Sequence, residues 1–263
     1  MERKLGWRKD KFDARDYLHS TALVVPPSAN NQAYIPSIRD QGQEGACVGF
    51  GIGGTITAVL KQLGIYVEWV SPRYIYNGAR YMEGTLTQDC GCEPGDALAW
   101  SKKMGVLLEH FWPYVDVPLD TSAPSSKREK EAVKYPKFTY TRVVDGPNGI
   151  CSALAAGHIV SIGTPWPDKW MDPPNGTLPE VKSSDFGQEG HETYLFGYDK
   201  TLVTLYSTGV FPFFGTNSWS TAWGNKGLYT MPSSAFEVMK QIGGYDAYII
   251  TFNKPKKKCL GIF

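Results

Sequence analysis

The sequence predicts an α+β fold with a helical lobe and a β lobe. Two observations carry this. Helical periodicity is concentrated in the first half of the chain and strand-like alternation in the second, a segregation that packs as separate layers rather than alternating βα units. At 263 residues, the chain is long enough for one large domain or two lobes around a cleft.

The elements follow in order. Residues 1–36 are polar and punctuated by Pro26, Pro27 and Pro36. They read as an extended arm that wraps the surface. From Cys47, the positions Phe50, Ile52, Ile56, Val59, Leu60 and Leu63 fit a buried helix ending at Gly64. Gly49, Gly51, Gly53 and Gly54 weaken its helix propensity, but they would let another element pack closely. Ser71-Pro72 reads as an N-cap with proline at the first helical position, opening a second helix through about Tyr81. A third helix fits Asp96 to Met104 and stops at Gly105, and Lys127 to Lys134 is a short charged helix. Strands are expected from Phe138 to Val144, Ile159 to Gly163, Glu192 to Tyr198, Phe211 to Thr216, Gly227 to Met231 and Tyr245 to Phe252, with a short helix at Cys151 to Ala156. Asp168 to Gly190 is a long Pro/Gly-rich loop leading to His191, and loops of this length are usually functional. The expected organisation is an arm at 1–36, a main domain at 37–253 and a basic tail at 254–263. The main domain divides into a mainly helical part, 37–135, and a mainly β part, 136–253.

Composition removes several function classes. With 42% hydrophobic and 20% charged residues and a net charge of +1, nothing points to nucleic acid or to a strongly charged partner. No apolar run reaches the ~18 residues of a membrane span. The charged N-terminus has no apolar core of a secretory signal, which points to a place inside a cell or in a virion rather than secretion. The five cysteines are scattered and odd in number, a poor disulfide framework. Cys90-Gly91-Cys92 has no second ligand pair at zinc spacing, so no metal and no cofactor are expected. The chain is expected to act as a monomer. Gly49-Phe-Gly51-Ile-Gly53-Gly54 matches a dinucleotide-binding pattern only formally, because Arg39 to Ala46 is not a strand. Asn175-Gly-Thr177 is a glycosylation sequon with no secretory signal to use it.

Two distant stretches supply complementary chemistry. Gln41 and Cys47 lie in the first; His191 and Asn217 lie in the second. A cysteine at a helix N-terminus is a candidate thiolate nucleophile. A histidine at a strand end can take its proton and return it to a leaving amine. Asn217 can orient that imidazole, Trp219 can shield the bond between them, and Gln41 can donate to an oxyanion beside the Cys47 amide.

These residues resemble the papain-like cysteine peptidases. Gln41 and Cys47, Gly190-His191, and Asn217-Ser218-Trp219 through Trp223-Gly224-Asn225-Lys226-Gly227 carry the resemblance, with the last run nearly complete. Glu109 to Tyr114 resembles the family's Tyr-Pro-Tyr turn, and Gly6 to Tyr17 a leader seen in microbial and viral-type members. The resemblance implies a papain-like two-lobe fold with a β-barrel-like second lobe and a cleft between the lobes. It implies a peptidase acting on protein or peptide substrates, with Cys47 as nucleophile, His191 as base, Asn217 as orienter and Gln41 in the oxyanion hole. It places substrate backbone at Gly91 and Cys92, a register counted back from Gly105; alignment on the cysteine would choose Pro94-Gly95 instead. Gly190 and Trp219 would border the same cleft. Three departures stand out: Glu44 replaces a disulfide cysteine, Val48 replaces a cleft tryptophan, and Ser220 replaces a glycine. The family's helical propeptide is absent, so control has to come from elsewhere. An endopeptidase is the first reading. An amidase or transpeptidase with the same triad, and a silent binding or structural module, are the alternatives.

Overall fold

Helix α1 (Cys47–Gln62) is the axis of the fold, and every residue from Cys47 to Leu60 is buried. A helix apolar on all sides belongs inside a protein, and this one has neighbours on both flanks. Its glycines explain how closely they approach. A Cβ on Gly49 would lie 2.5 Å from the Pro72 carbonyl oxygen, at the start of α2 (Pro72–Glu83). On the other flank, a Cβ on Gly51 would lie 2.5 Å from Glu192 Cγ, and one on Gly54 would lie 2.3 Å from the Tyr194 ring. The glycines thus admit a helix on one side and a strand on the other. The computed structural model describes residues 3–11, 13, 16–22, 24–132 and 137–252.

The rest of the helical lobe follows from local signals. Ser71 caps α2, its hydroxyl accepting the Tyr74 N–H at 3.0 Å with proline next in line. Helix α3 (Pro94–Met104) ends at Gly105, and α4 (Ser126–Ala132) is a short surface helix.

The β lobe is built on one antiparallel sheet. Its strands are β1 (Ser28–Asn30), β2 (Phe138–Arg142), β3 (Val160–Pro165), β4 (Gly190–Asp199), β5 (Pro212–Thr216), β6 (Leu228–Pro232) and β7 (Asp246–Phe252). The order is β2-β7-β3-β4-β5-β6, with β1 added to β4. The path is open, with β2 and β6 as its ends, so the sheet does not close into the expected barrel. Strand β4 is buried from Gly190 to Tyr198 because α1 covers it. Helix α5 (Gly146–Ala155) packs against the sheet and α6 (Ser234–Gln241) against α5.

Three features differ from expectation. Helix α5 starts at Gly146 rather than Cys151, after Asp145 turns the chain with φ 67°. Helix α6 and strand β1 are short elements that periodicity does not resolve; β1 has only three residues. The loop before β4 contains 3-10 turns at Asp168–Trp170, Pro174–Gly176 and Ser183–Asp185, and the Trp170 indole N–H donates to the Pro179 carbonyl at 2.9 Å. The basic tail at 254–263 lies outside the described residues. No helix among the described residues is long and apolar enough to cross a membrane.

Replacing Gly49 with alanine forces a methyl group onto the Pro72 carbonyl, which is main chain and has little room to yield. The expected cost is about 1–3 kcal/mol, exceeding the gain in helix propensity. Urea denaturation of Gly49→Ala against the parent chain checks it.

Candidate active site

Cys47 is the first residue of α1, where helix N–H groups are unpaired and positive potential is greatest. Backbone N–H groups of Glu192, Gly6 and Val48 face the sulfur and favour its ionised form. Complete burial outweighs them and pushes the thiol up to about 12. His191 is the second residue of the buried run of β4, opposite Thr164 of β3. Its Nε2 lies 2.7 Å from Asn217 Oδ1, which also accepts the Ser218 N–H at 2.7 Å. That second donor fixes Oδ1 as an acceptor, so Nε2 carries the proton. Nδ1 has no hydrogen-bond partner, and is left with a free lone pair. Trp219 stacks on the imidazole at 4.4 Å between ring centroids, and Trp166 meets it edge-on at 5.0 Å. Burial pushes the imidazole down to about 4; the Asn217 bond opposes this and Arg3 adds to it. In this arrangement both Cys47 and His191 rest neutral at pH 7.

Gln41 joins the two stretches. Its backbone N–H donates to the Ser218 carbonyl at 2.8 Å, and its Oε1 accepts the Ser218 hydroxyl at 2.7 Å. One step further out, the Ser220 N–H donates to the Arg39 carbonyl at 3.0 Å. Ser220 sits at φ 62°, in the left-handed region that favours glycine. Gln41 Nε2 donates to the carbonyls of Glu44 at 3.0 Å and Lys4 at 3.1 Å.

The loop between Gln41 and Cys47 is pinned by carboxylates. Glu44 is fully buried, and its carboxylate is bonded to Arg73 Nη1, Arg80 Nη2 (3.3 Å), the Asp120 N–H (3.0 Å) and the Tyr114 hydroxyl (3.3 Å). Asp89 accepts the Gly45 N–H at 3.0 Å and the Tyr76 hydroxyl at 2.8 Å. An ion cluster therefore stands where the resemblance implies a disulfide, and the described cysteines Cys47, Cys90, Cys92 and Cys151 are free. Periodicity does not foresee this role for Glu44; the signal is a pair of arginines, Arg73 and Arg80, seven residues apart on one face of a helix and both buried.

The N-terminal arm does not only wrap the surface. Its segment Lys4–Asp10 passes through the cleft beside Cys47. The Cys92 N–H donates to the Gly6 carbonyl at 3.0 Å, and the Arg8 N–H donates to the Cys92 carbonyl at 3.2 Å. The Trp7 N–H donates to the Gly190 carbonyl at 3.0 Å. Contact is close: a Cβ on Gly6 would lie 1.8 Å from the Gly45 carbonyl oxygen, and one on Gly91, at φ 67°, would lie 1.9 Å from the Gly6 oxygen. Gly91 and Cys92, expected to hold substrate backbone, and Gly190, expected to border the cleft, thus line the path of the arm, and Trp219 lies below Arg3 at 5.0 Å. No group of three or more potential metal ligands occurs among the described residues.

Two outcomes are expected. Glu44→Gln removes one charge from a buried cluster and leaves two arginines short of a partner. The cost should be about 3–5 kcal/mol in urea unfolding. His191 is pushed down from 6.5 to about 4, so the unfolded chain binds its proton more readily. Stability is therefore lost as pH falls from 6.5 toward 4, by about 3 kcal/mol from this group. The difference in unfolding free energy between pH 7 and pH 4 should be smaller by that amount in His191→Gln.

Comparisons with known proteins bear on the family and the fold. A family model described as papain family cysteine protease matches residues 26–242. An uncharacterised peptidase C1-like protein of Acanthamoeba polyphaga mimivirus is 26% identical, over 88% of this chain and 82% of its own length. Among solved structures, xylellain, a cysteine protease from Xylella fastidiosa, superposes with a TM-score of 0.83 at 24% identity, covering 97% of this chain and 99% of that one. Digestive procathepsin L 3 of Tenebrio molitor gives 0.69 at 17% identity over 89% and 73%. Bromelain from Ananas comosus, solved with an inhibitor, gives 0.65 at 19% identity over 87% and 100%. With a papain-like fold and a family match spanning most of its length, the chain belongs to the papain family of cysteine proteases.

Proposed function

We propose that the chain is an endopeptidase that cleaves peptide bonds through a thioester on Cys47. The observation that carries this reading is the His191–Asn217 hydrogen bond at 2.7 Å under the Trp219 ring, in a family of cysteine proteases. His191 Nδ1, the nitrogen left free, takes the Cys47 proton. The sulfur then bonds to the substrate carbonyl carbon, and the electron pair of the broken π bond moves to oxygen. Gln41 Nε2 and the Cys47 N–H donate to that oxyanion. Collapse breaks the C–N bond, and His191 returns the proton to the leaving amine. Water, deprotonated by His191, attacks the thioester and releases the acid and the thiol.

The Lys4 carbonyl supports the role given to Gln41, because it already accepts from the same amide at 3.1 Å. The arm itself is not presented as a substrate. Gly6 turns an N–H toward the sulfur, and its carbonyl is taken by the Cys92 N–H. Peptide entry therefore requires the arm to leave the cleft. Its departure readmits water, raises the His191 pKa and lowers that of Cys47, making the reactive ion pair accessible.

Purified Cys47→Ala should lose at least about 10³-fold in hydrolysis of a denatured protein substrate while unfolding at a similar urea concentration. Unchanged hydrolysis would remove Cys47 as the nucleophile. Amine adducts in place of free acid, seen by mass spectrometry with an added amine, would favour the transpeptidase reading.

A further inference from the structure

The arm places one large side chain in the cleft wall, and its surroundings are unusual. Trp7 is 8% exposed. Its indole lies across one face of the paired strands β3 and β4, over two positions that carry no side chain: a Cβ on Gly190 would lie 1.9 Å from the ring, and one on Gly163 would lie 2.0 Å from Nε1. The floor beneath is acidic. The Trp7 indole N–H donates to Asp246 Oδ2 at 3.2 Å. The same Cβ on Gly163 would lie 2.3 Å from Glu192 Oε2, so that carboxyl oxygen neighbours the indole nitrogen.

The bonds of these two carboxyl groups divide between the arm and the body of the protein. Asp246 Oδ1 is held by Arg142 at 2.9 Å and by Lys9 of the arm. Asp246 Oδ2 is bonded to the Trp7 indole and to the Asp10 N–H at 2.9 Å, both from the arm. Glu192 Oε1 accepts the Ser161 hydroxyl at 2.6 Å, whereas Oε2, buried with its residue 1% exposed, has no partner. Once the arm leaves, Arg142 still satisfies Oδ1, but Asp246 Oδ2 loses its donors and Glu192 Oε2 stays unpaired, with burial and Asp246 holding the Glu192 carboxyl toward its neutral form until a cation arrives. Buried acceptors left unpaired are costly, and a side chain carrying several N–H donors and a positive charge relieves both at once.

We propose that the space filled by Trp7 is a substrate side-chain pocket, and that Glu192 Oε2 and Asp246 Oδ2 select arginine or lysine there. The proposal rests on the endopeptidase reading for its meaning as substrate specificity, and on the two carboxyl oxygens for its chemistry. The arm already satisfies Asp246 with donors: an indole N–H, a main-chain N–H and the Lys9 ammonium. A flat guanidinium fits over Gly163 and Gly190, where the absence of side chains now admits the flat indole.

The test uses full-length Cys47→Ala that also carries Trp7→Gly, so the chain lacks the thiol and the space filled by the indole is vacated. Its affinity is measured by calorimetry for a peptide series in which each position in turn is arginine or norleucine. At one position arginine should bind about tenfold or more tightly, and Glu192→Gln or Asp246→Asn in the same background should cut that ratio to about twofold. The parent chain is then assayed for cleavage of the same peptides. Equal binding of arginine and norleucine at every position, no binding of either, tighter binding of norleucine, or a preference that survives both substitutions would overturn the pocket. Discrimination in binding with no cleavage by the parent chain would leave the pocket standing and remove the peptidase reading instead.

Discussion

The molecule depends on a short seam of hydrogen bonds between residues 39–41 and residues 218–220. Cys47 stands on a helix and His191 on a strand, and the seam ties the loop before the one to the loop that holds the other. Gln41 touches Ser218 through both its backbone and its side chain, and Asn217, which holds His191, is the next residue in line. The same stretch therefore orients His191 and holds Gln41. Around it, α1 and β4 approach closely because glycines remove the side chains that would separate them. The loop leading into α1 is held from behind by Glu44 and Asp89.

This layout makes the cleft a boundary between two well-packed bodies, and the arm uses it. Lys4, Gly6, Trp7 and Arg8 bond to Gln41, Cys92 and Gly190, the groups that the proposed function assigns to substrate. The arm is held there by main-chain bonds and by one buried side chain, that of Trp7. Complete burial favours the neutral thiol and the neutral imidazole.

Much of this was legible in the residues. The apolar spacing from Phe50 to Leu63 located α1 to within two residues, and Ser71-Pro72 marked the start of α2 because capping chemistry is local. Gln41, Cys47, His191 and Asn217 stood out through their type and flanking motifs, and the fold brings His191 onto Asn217 and Gln41 onto Ser218. What was not legible depended on contacts distant in sequence. Nothing local marks Trp7 as a residue that enters the cleft, because its partners Cys92, Gly190 and Asp246 lie far along the chain. Strand β1 exists only because β4 is there to pair with it, and the open path of the sheet is a property of all its strands together.

The Glu44 cluster has a chemical consequence for the conditions under which the loop keeps its shape. A cysteine nucleophile is silenced by oxidation and protected by reductants. A disulfide bracing the same loop would have the opposite requirement, since the reductant that preserves the nucleophile can cut the brace. Carboxylate and guanidinium groups exchange no electrons with thiols. With Glu44 anchored on Arg73 and Arg80, the loop before Cys47 is held by a bond that reductants leave untouched.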